Sequence, residues 1–171
     1  MPILFRLDQE ESKRLKHQDN WVRKMETMSK PVTMINAEGL ILGRMASMVA
    51  KRLLNGEEIT IVNAEKAVLS GKKKSKVREA MEFLSVGGPK MGPFHYRRPD
   101  RIVRKTVRGM LPYRQTKGKN AYKRLRVFIG TPEELKDQKM ETLTDAQAAK
   151  LSCPYFTLGE YAKEIGWNPG E

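Results

Sequence analysis

A short apolar run, an amphipathic helix and a second apolar run follow one another between residues 32 and 62, and this order constrains the fold most. Val32–Asn36 predicts a buried strand. In the segment that Gly43 opens, apolar residues recur at helical spacing: Leu42, Met45, Ala46, Val49, Ala50 and Leu53. Asn55 and Gly56 end this helix, and residues 59–62 predict a second strand. The unit favours parallel strands, a right-handed crossover and an α/β layered sheet.

Further along the chain, shorter patterns predict the remaining elements. Residues 67–69 and 127–129 predict two more strands. A helix starts near Ser75, and we expect its buried stripe to consist of Val77, Ala80, Met81 and Leu84. Residues 86–99 are rich in turn formers and predict an exposed loop. Asp100 is expected to be the N-cap of a helix that runs to Leu111, where Pro112 ends it.

The chain divides into three segments. Residues 1–31 predict an extension, helical from about residue 8 to 28, with Trp21, Met25 and Met28 on one face. Residues 32–130 form the core. Residues 131–171 are polar and predict short helices, one of which begins at a capping box made by Thr157 and Glu160 and carries Leu158, Tyr161, Ala162 and Ile165.

The positive charge of the chain is concentrated in its middle third. The formal net charge of the whole sequence is +13. Between Lys72 and Arg126 there are 18 lysines and arginines but only three acidic residues, Glu79, Glu82 and Asp100. Because the acids that would balance such a surface are missing, the segment predicts binding to a polyanion and not merely a solvated face.

One helix within this basic segment separates its charged residues from its apolar ones. At about 100° per residue, the cations Arg101, Arg104, Lys105 and Arg108 fall on one face. The apolar residues Val103, Val107, Met110 and Leu111 fall on the other. The helix can therefore pack on a core while it presents cations outward, and since few acids pair with them, phosphates are the expected partners.

The chain on either side of this helix extends the basic surface. The preceding loop is rich in glycine and proline, which allows close backbone approach, and its Tyr96, Arg97 and Arg98 can stack on unpaired bases. The residues predicted to bind RNA are Lys72, Lys73, Lys74, Tyr96, Arg97, Arg98, Arg101, Arg104, Lys105, Arg108, Arg114, Lys117, Lys119, Lys123, Arg124 and Arg126.

The sequence does not match the nucleotide-binding motifs of enzymes. The stretch 70–75 departs from the phosphate-binding loop pattern at two positions, because Lys66 stands where glycine is required and Lys73 where serine or threonine is required. Gly39 and Gly43 do not complete a dinucleotide-binding pattern and more plausibly serve a turn. No catalytic residue and no cofactor is predicted.

The sequence also gives no support for a metal site, a membrane span or an export signal. The single cysteine, Cys153, and the two histidines, His17 and His95, do not have the spacing of a metal site. No apolar run approaches the roughly 20 residues of a membrane span. Acidic residues near the N-terminus fit neither a secretory signal nor a transit peptide, so a cytoplasmic protein is expected.

Four ordered motifs resemble the large-subunit ribosomal protein thirteen family, in its archaeal and eukaryotic branch. They lie at residues 35–47, 61–71, 95–99 (His-Tyr-Arg-Arg-Pro) and 107–112 (Val-Arg-Gly-Met-Leu-Pro), and the last is the most specific. The resemblance implies a three-layer α/β/α core with a mostly parallel sheet of about four strands. It also implies binding to large-subunit ribosomal RNA, a part in subunit assembly, and no catalysis.

The resemblance also implies which residues and partners are involved. The family's basic loop and helix correspond to Arg97, Arg98, Arg101, Arg104, Arg108 and the stretch 117–126. Neighbouring large-subunit ribosomal proteins are the expected protein partners, and we expect no membrane, no small-molecule substrate and no obligate homo-oligomer.

Alternatives remain open at this point. A regulatory protein that binds messenger RNA away from the ribosome would have a similar charge pattern, and a nucleotide-dependent enzyme can use a similar layered fold. Residues 1–33 depart from the family pattern. They are interpreted either as a lineage-specific arm that reaches another ribosomal protein or RNA, or as the result of a start codon placed upstream of a true start at Met28 or Met34.

Overall fold

The computed structural model describes residues 32–88, 92–93, 95–136 and 138–169. The predicted N-terminal helix lies outside these residues. The strands are β1 (Val32–Asn36), β2 (Glu58–Val62), β3 (Val68–Ser70), β4 (Leu125–Val127), β5 (Met140–Glu141) and β6 (Tyr155–Thr157). The α-helices are α1 (Leu42–Leu54), α2 (Lys73–Ser85), α3 (Pro99–Met110), α4 (Thr116–Lys123) and α5 (Leu158–Glu164).

Four strands form a parallel sheet in the order β4-β2-β1-β5. Ile35 of β1 lies opposite Ile61 of β2, and Ile59 of β2 lies opposite Leu125 of β4. All four of these side chains are buried, as expected for the centre of a sheet that is covered on its faces. The sheet and its helices are consistent with the predicted three-layer α/β fold.

Helix α1 makes the crossover between β1 and β2, as predicted. Its buried residues are the six predicted from helical spacing, Leu42, Met45, Ala46, Val49, Ala50 and Leu53. Asn55 is the C-cap, and its backbone N–H donates to the carbonyl oxygens of Lys51 and Arg52 at 3.2 and 3.1 Å. Gly56 follows with φ of 99°, a conformation that glycine adopts without strain. Local sequence therefore sets this part of the fold.

Two predicted strands differ from the structure in pairing or position, and one strand of the main sheet was not predicted. The strand predicted at residues 67–69 is β3, and it pairs antiparallel with β6 outside the main sheet. The strand predicted at residues 127–129 is β4, which begins and ends two residues earlier. The fourth strand of the main sheet is β5, which was not predicted because two residues at a sheet edge form no apolar run.

An ion pair connects the edge strand β5 to the end of α1. The guanidinium of Arg52 donates from Nη1 to Glu141 Oε2 at 2.9 Å and from Nη2 to Glu141 Oε1 at 2.8 Å. This bidentate hydrogen bond lowers the pKa of the Glu141 carboxyl. The same bond raises the pKa of Arg52. The pair supports a strand that has only one neighbour in the sheet.

Helix α2 differs from its prediction. It begins at Lys73, and only Ala80 of the expected stripe is buried. Val77 and Leu84 are half-buried, and Met81 is 46% exposed. The prediction of a fully buried stripe was wrong because α2 packs along a narrow strip, chiefly against α5.

Helix α3 begins two residues earlier than predicted. Pro99 takes the first helical position, where its missing N–H leaves no donor unsatisfied, so Arg98 and not Asp100 is the N-cap. The Asp100 carboxylate accepts instead from Arg98 Nε at 3.2 Å. Val103, Val107 and Leu111 are buried as predicted. Met110 is 42% exposed, contrary to the prediction, because the backbone leaves the helix at Leu111, and Leu111 takes the buried position at this end.

The C-terminal helix α5 begins at the predicted capping box. Thr157 is its N-cap, and the Thr157 hydroxyl oxygen accepts from the Glu160 backbone N–H at 3.2 Å. Leu158, Ala162 and Ile165 are buried. Among the helices of the described ranges, none is long and apolar enough to cross a membrane.

Candidate nucleic-acid interface

Three arginines on the outer face of α3 each lie over the ring of a tyrosine. The guanidinium carbons of Arg101, Arg104 and Arg108 are 5.9, 5.1 and 4.0 Å from the ring centroids of Tyr96, Tyr122 and Tyr113, respectively. Such contacts hold a cation at the negative face of the ring while its other donors stay available. We call this set the arginine–tyrosine row, and it orders three cations along one helix.

The tyrosines of the row come from three different places in the chain. Tyr96 belongs to the loop before α3, Tyr113 to the turn after it, and Tyr122 to α4. The rings of Tyr113 and Tyr122 meet edge to face with centroids 5.5 Å apart. The loop, the turn and the following helix therefore all help to orient the cations of α3.

Gly118 allows α4 to take its position beside the end of α3. This glycine is buried, and a Cβ at its position would overlap the carbonyl group of Pro112. Helices α3 and α4 both pack against α1. With Gly118 and Ala121 turned inward, Lys117, Lys119 and Lys123 are exposed on the outer side of α4.

The cations of α3 lack acidic partners among the residues that the structure describes. Arg101, Arg104, Lys105 and Arg108 take part in none of the ion pairs found there, and the one acid of the helix, Asp100, pairs with Arg98. Arg104 Nε is buried and has no hydrogen-bond partner within the described part of the chain. Unpaired cations held in place are suited to bind anions from outside the protein.

A polar cleft opens between the loop before α3 and helix α4. We call it the arginine cleft, and its lining residues are Tyr96, Arg98, Asp100, Arg101, Arg104 and Tyr122. Three guanidinium groups face one carboxylate here, so the cleft has an excess of positive charge. An RNA phosphate matches the geometry that arginine prefers for its hydrogen bonds.

The predicted residues Lys72, Lys73 and Lys74 lie at the start of α2 and not on α3. Lys73 makes ion pairs with Glu164 at 3.1 Å and Glu160 at 3.8 Å, so the charge of Lys73 is largely balanced within the fold by α5. Lys72 and Lys74 are exposed. The sequence predicted a turn at these lysines before a helix near Ser75, and in the structure Lys73 and Lys74 already belong to that helix.

The other predicted residues vary in their surroundings. Arg97 lies beside Gly166, since a Cβ on that glycine would be 3.3 Å from Arg97 Nη1. Arg124 is half-buried and donates from Nη2 to the carbonyl oxygen of Leu53 at 2.7 Å, which satisfies the end of α1. Arg114 and Arg126 are exposed. Arg124 therefore has a structural contact in addition to any contact with RNA.

Sequence reasoning missed Tyr113 and Tyr122. Their partners on α3 are five and eighteen residues away, distances at which no periodic pattern predicts a contact. The available indication was that both tyrosines lie within the basic segment, where aromatic residues among cations are typical of RNA-binding surfaces.

The described residues contain no group of three histidine, cysteine or carboxylate side chains arranged to hold a metal ion. Cys153 is exposed. The arginine–tyrosine row offers cations and aromatic rings, which suit contacts with anions and with planar groups.

Comparisons with known proteins identify similar chains. Residues 30–134 match the model of the family described as ribosomal protein L13. The chain is 50% identical to large ribosomal subunit protein uL13 of Methanosarcina barkeri over 137 residues, which are 79% of this chain and 98% of that protein. It is 45% identical to large ribosomal subunit protein uL13 of Archaeoglobus fulgidus over 150 residues, 86% of this chain and 96% of that protein. For the protein of the same name from Methanopyrus kandleri, the identity is 46% over 151 residues, 83% of this chain and 95% of that protein.

Proposed function

Since the chain belongs to the ribosomal protein L13 family and thus has a structural role in the ribosome, we propose that it binds large-subunit ribosomal RNA through α3 and the elements beside it. The bound RNA and the protein would hold each other in place, which supports assembly of the large subunit. The family is structural and not enzymatic, and its place of action is the ribosome in the cytoplasm.

The observation that carries the proposal is the arginine–tyrosine row. Arg101, Arg104 and Arg108 lack acidic partners in the described residues and are oriented by aromatic rings. Orienting these side chains within the fold lowers the conformational entropy that RNA binding would otherwise cost. Exposed lysines on α4 extend the same positive surface beside the row.

RNA contacts of this kind depend on charge and shape more than on the reading of base edges. Arginine and lysine contacts to phosphates position a protein on RNA, while stacking on aromatic rings or guanidinium planes suits unpaired bases. Arg97 and Arg98 lie in an exposed loop and suit the second kind of contact. We therefore propose binding at a folded RNA junction or loop and not along a regular duplex.

The partners follow from the same role. Large-subunit ribosomal RNA is the main partner, and neighbouring large-subunit ribosomal proteins contact the remaining surface. The function needs no small-molecule substrate, no cofactor and no obligate homo-oligomer. Residues 1–31 are proposed to be an extension that reaches a neighbouring ribosomal component.

Sedimentation of the full chain from native lysate at about 0.1 M and about 1 M salt tests the proposal. A bare complex that depends on several phosphate contacts dissociates steeply as salt rises, because each contact releases counterions. A protein built into the subunit remains with it at both salt concentrations. Migration with lighter RNA, or loss from the large subunit, would instead support a regulatory protein that binds messenger RNA.

A further inference from the structure

A second, mainly apolar pocket lies beside the arginine cleft, with which it shares Tyr96. It has a volume of about 150 Å³, and its walls include Ala80, Phe83, His95, Tyr96, Ile102 and Lys105. The pocket lies where the C-terminal half of α2, the loop before α3, α3 itself and the C-terminal end of α5 meet. Its size suits a single planar group and is well below the 300 Å³ or more that is typical of larger ligands.

His95 provides a buried polar group at the wall of this mainly apolar pocket. Its Nε2 is buried and has no hydrogen-bond partner in the described ranges of the chain. The ring of His95 lies 5.7 Å from that of Phe83, centroid to centroid, at an interplanar angle of 45°. A buried polar atom without a partner is unusual and is satisfied by water or by a ligand. A ligand with aromatic faces and a polar edge matches this arrangement.

Tyr96 connects the apolar pocket to the arginine cleft, because its side chain lines both. The guanidinium of Arg101 lies over the same ring. Lys105 adds a cation at the wall of the apolar pocket. A ligand with a planar group in the pocket would therefore have its adjoining part among the cations of the arginine cleft. A nucleotide fits both places, because it joins an aromatic base to a negatively charged phosphate.

We propose that one unstacked nucleotide of the bound RNA inserts its base into the apolar pocket and places its phosphate in the arginine cleft. This inference rests on the proposed function, because the nucleotide belongs to the ribosomal RNA. The base stacks on the aromatic walls and accepts from or donates to His95 Nε2. Charge complementarity at Arg98, Arg101 and Arg104 favours RNA over an apolar side chain of a neighbouring protein as the occupant.

The test measures binding of the full chain to deproteinised large-subunit ribosomal RNA across a range of salt concentrations. The substitution Ala80→Met fills the pocket and leaves every charge unchanged. We expect it to lower RNA affinity about tenfold, the loss of one stacked base, with the same dependence of affinity on salt. Ser85→Met is the matched control, since Ser85 is exposed on the same helix and does not line the pocket. Arg101→Gln should lower both the affinity and its dependence on salt.

Three outcomes would overturn the nucleotide pocket. If Ala80→Met binds RNA as tightly as Ser85→Met while Arg101→Gln binds weakly, the pocket is not used although the proposed function stands. If none of the variants changes binding, the proposed function fails as well. If Ala80→Met binds RNA normally but fails to enter subunits, the occupant is a protein side chain.

A second variant keeps the test decisive if Ala80→Met does not fold, which circular dichroism would show. His95→Phe retains an aromatic ring and removes the unpaired nitrogen. It should weaken RNA binding at unchanged salt dependence, and unweakened binding would contradict a base that uses Nε2. Ultraviolet crosslinking of the wild-type complex should place a nucleotide on a peptide that contains Phe83, His95 or Tyr96, and crosslinks confined to other peptides would contradict the proposal.

Discussion

The guanidinium carbon of Arg108 lies 4.0 Å from the centre of the Tyr113 ring, the shortest of the three arginine–tyrosine contacts described along α3. The two residues flank the end of the helix, where Leu111 is the C-cap and Pro112 prevents further helical hydrogen bonding. The turn after α3 thus places the ring of Tyr113 beside Arg108, the last cation of the helix. This contact fixes one end of the row.

Replacing Tyr113 tests whether the aromatic ring positions Arg108 for RNA. Tyr113→Leu removes the cation–π contact, which is worth about 0.5 to 1 kcal/mol at an exposed site. RNA affinity should fall by roughly two- to fivefold. Tyr113→Phe keeps the ring and should bind within about twofold of wild type. Filter binding to large-subunit ribosomal RNA measures both, and equal affinities for the two variants would contradict a positioning role.

Gly109 offers a test in which stability and binding change in opposite directions. It is exposed in α3 next to Arg108, and among the described residues no atom beyond its chain neighbours and its own helical backbone lies within 4 Å of a Cβ at this position. Glycine within a helix is about 1 kcal/mol less favourable than alanine, so Gly109→Ala should stabilise the free protein. If RNA approaches the helix closely here, the added methyl group should weaken RNA binding severalfold.

Gly43→Ala is the matched control for Gly109→Ala. Gly43 is also exposed in a helix, and an added Cβ would likewise lie more than 4 Å from the surrounding atoms that the structure describes outside this stretch of helix, but Gly43 lies on α1. Gly43→Ala should leave RNA affinity unchanged. Thermal unfolding and RNA titration of both variants check the prediction, and tighter or unchanged RNA binding by Gly109→Ala would rule out close approach at that residue.

Gly118→Ala should destabilise the protein, in contrast to Gly109→Ala. A methyl group there overlaps the carbonyl of Pro112, so α4 must move away from the turn after α3. Overpacking at a buried position costs about 1 to 3 kcal/mol. Urea denaturation should show this loss in the free energy of unfolding. RNA affinity should fall too, because Tyr122 moves with α4 and leaves Arg104. Stability equal to that of wild type would show that the packing at Gly118 is looser than described.

The ion pair between Arg52 and Glu141 predicts a pH-dependent contribution to stability. The pKa of Glu141 is lower in the folded protein than in the unfolded chain, because the carboxylate accepts two hydrogen bonds from Arg52. The contribution is therefore present above the unfolded pKa and is lost as pH falls through the folded pKa. Both side chains are partly exposed, so solvent screening limits the contribution to about 1 kcal/mol or less.

Glu141→Gln measures this contribution. At neutral pH the variant should lose up to about 1 kcal/mol of unfolding free energy, and the difference from wild type should vanish in acid below the folded pKa. Glu133→Gln removes the same charge at a side chain that is 94% exposed and should change little. A difference that persists in acid would show that the effect of Glu141→Gln does not arise from ionisation.

The parts of the fold that were predicted correctly are those that local sequence determines. In α1, one face is covered along its whole length, so helical spacing identified every buried residue. The hydroxyl of Thr157 reaches an N–H only three residues away, so the capping box was visible in the sequence. The buried stripe of α2 was wrong because burial depends on which elements lie nearby, and apolar residues such as Met81 and Phe83 are exposed there.

The candidate interface was predicted in composition but not in arrangement. The basic face of α3 followed from periodicity, and its cations do lie together. Helix α4 was not predicted as a helix, since the small residues Gly118 and Ala121 form its buried side and do not stand out as an apolar stripe. The pairing of Arg104 with Tyr122 depends on how α3 and α4 pack, which no local pattern encodes. Conversely, Lys73 was grouped with the RNA-binding residues although α5 supplies its partners.

Incorporation of a charge-reversed variant into large subunits tests the central claim most directly. Tagged chains in which Arg101, Arg104 and Arg108 are replaced by Glu should fold, as judged by circular dichroism, but should be absent from large subunits on a sucrose gradient. A control variant reverses Arg44 and Lys51, which are exposed on α1, and should enter subunits normally. Normal incorporation of the α3 variant would contradict the assignment of this helix to ribosomal RNA binding.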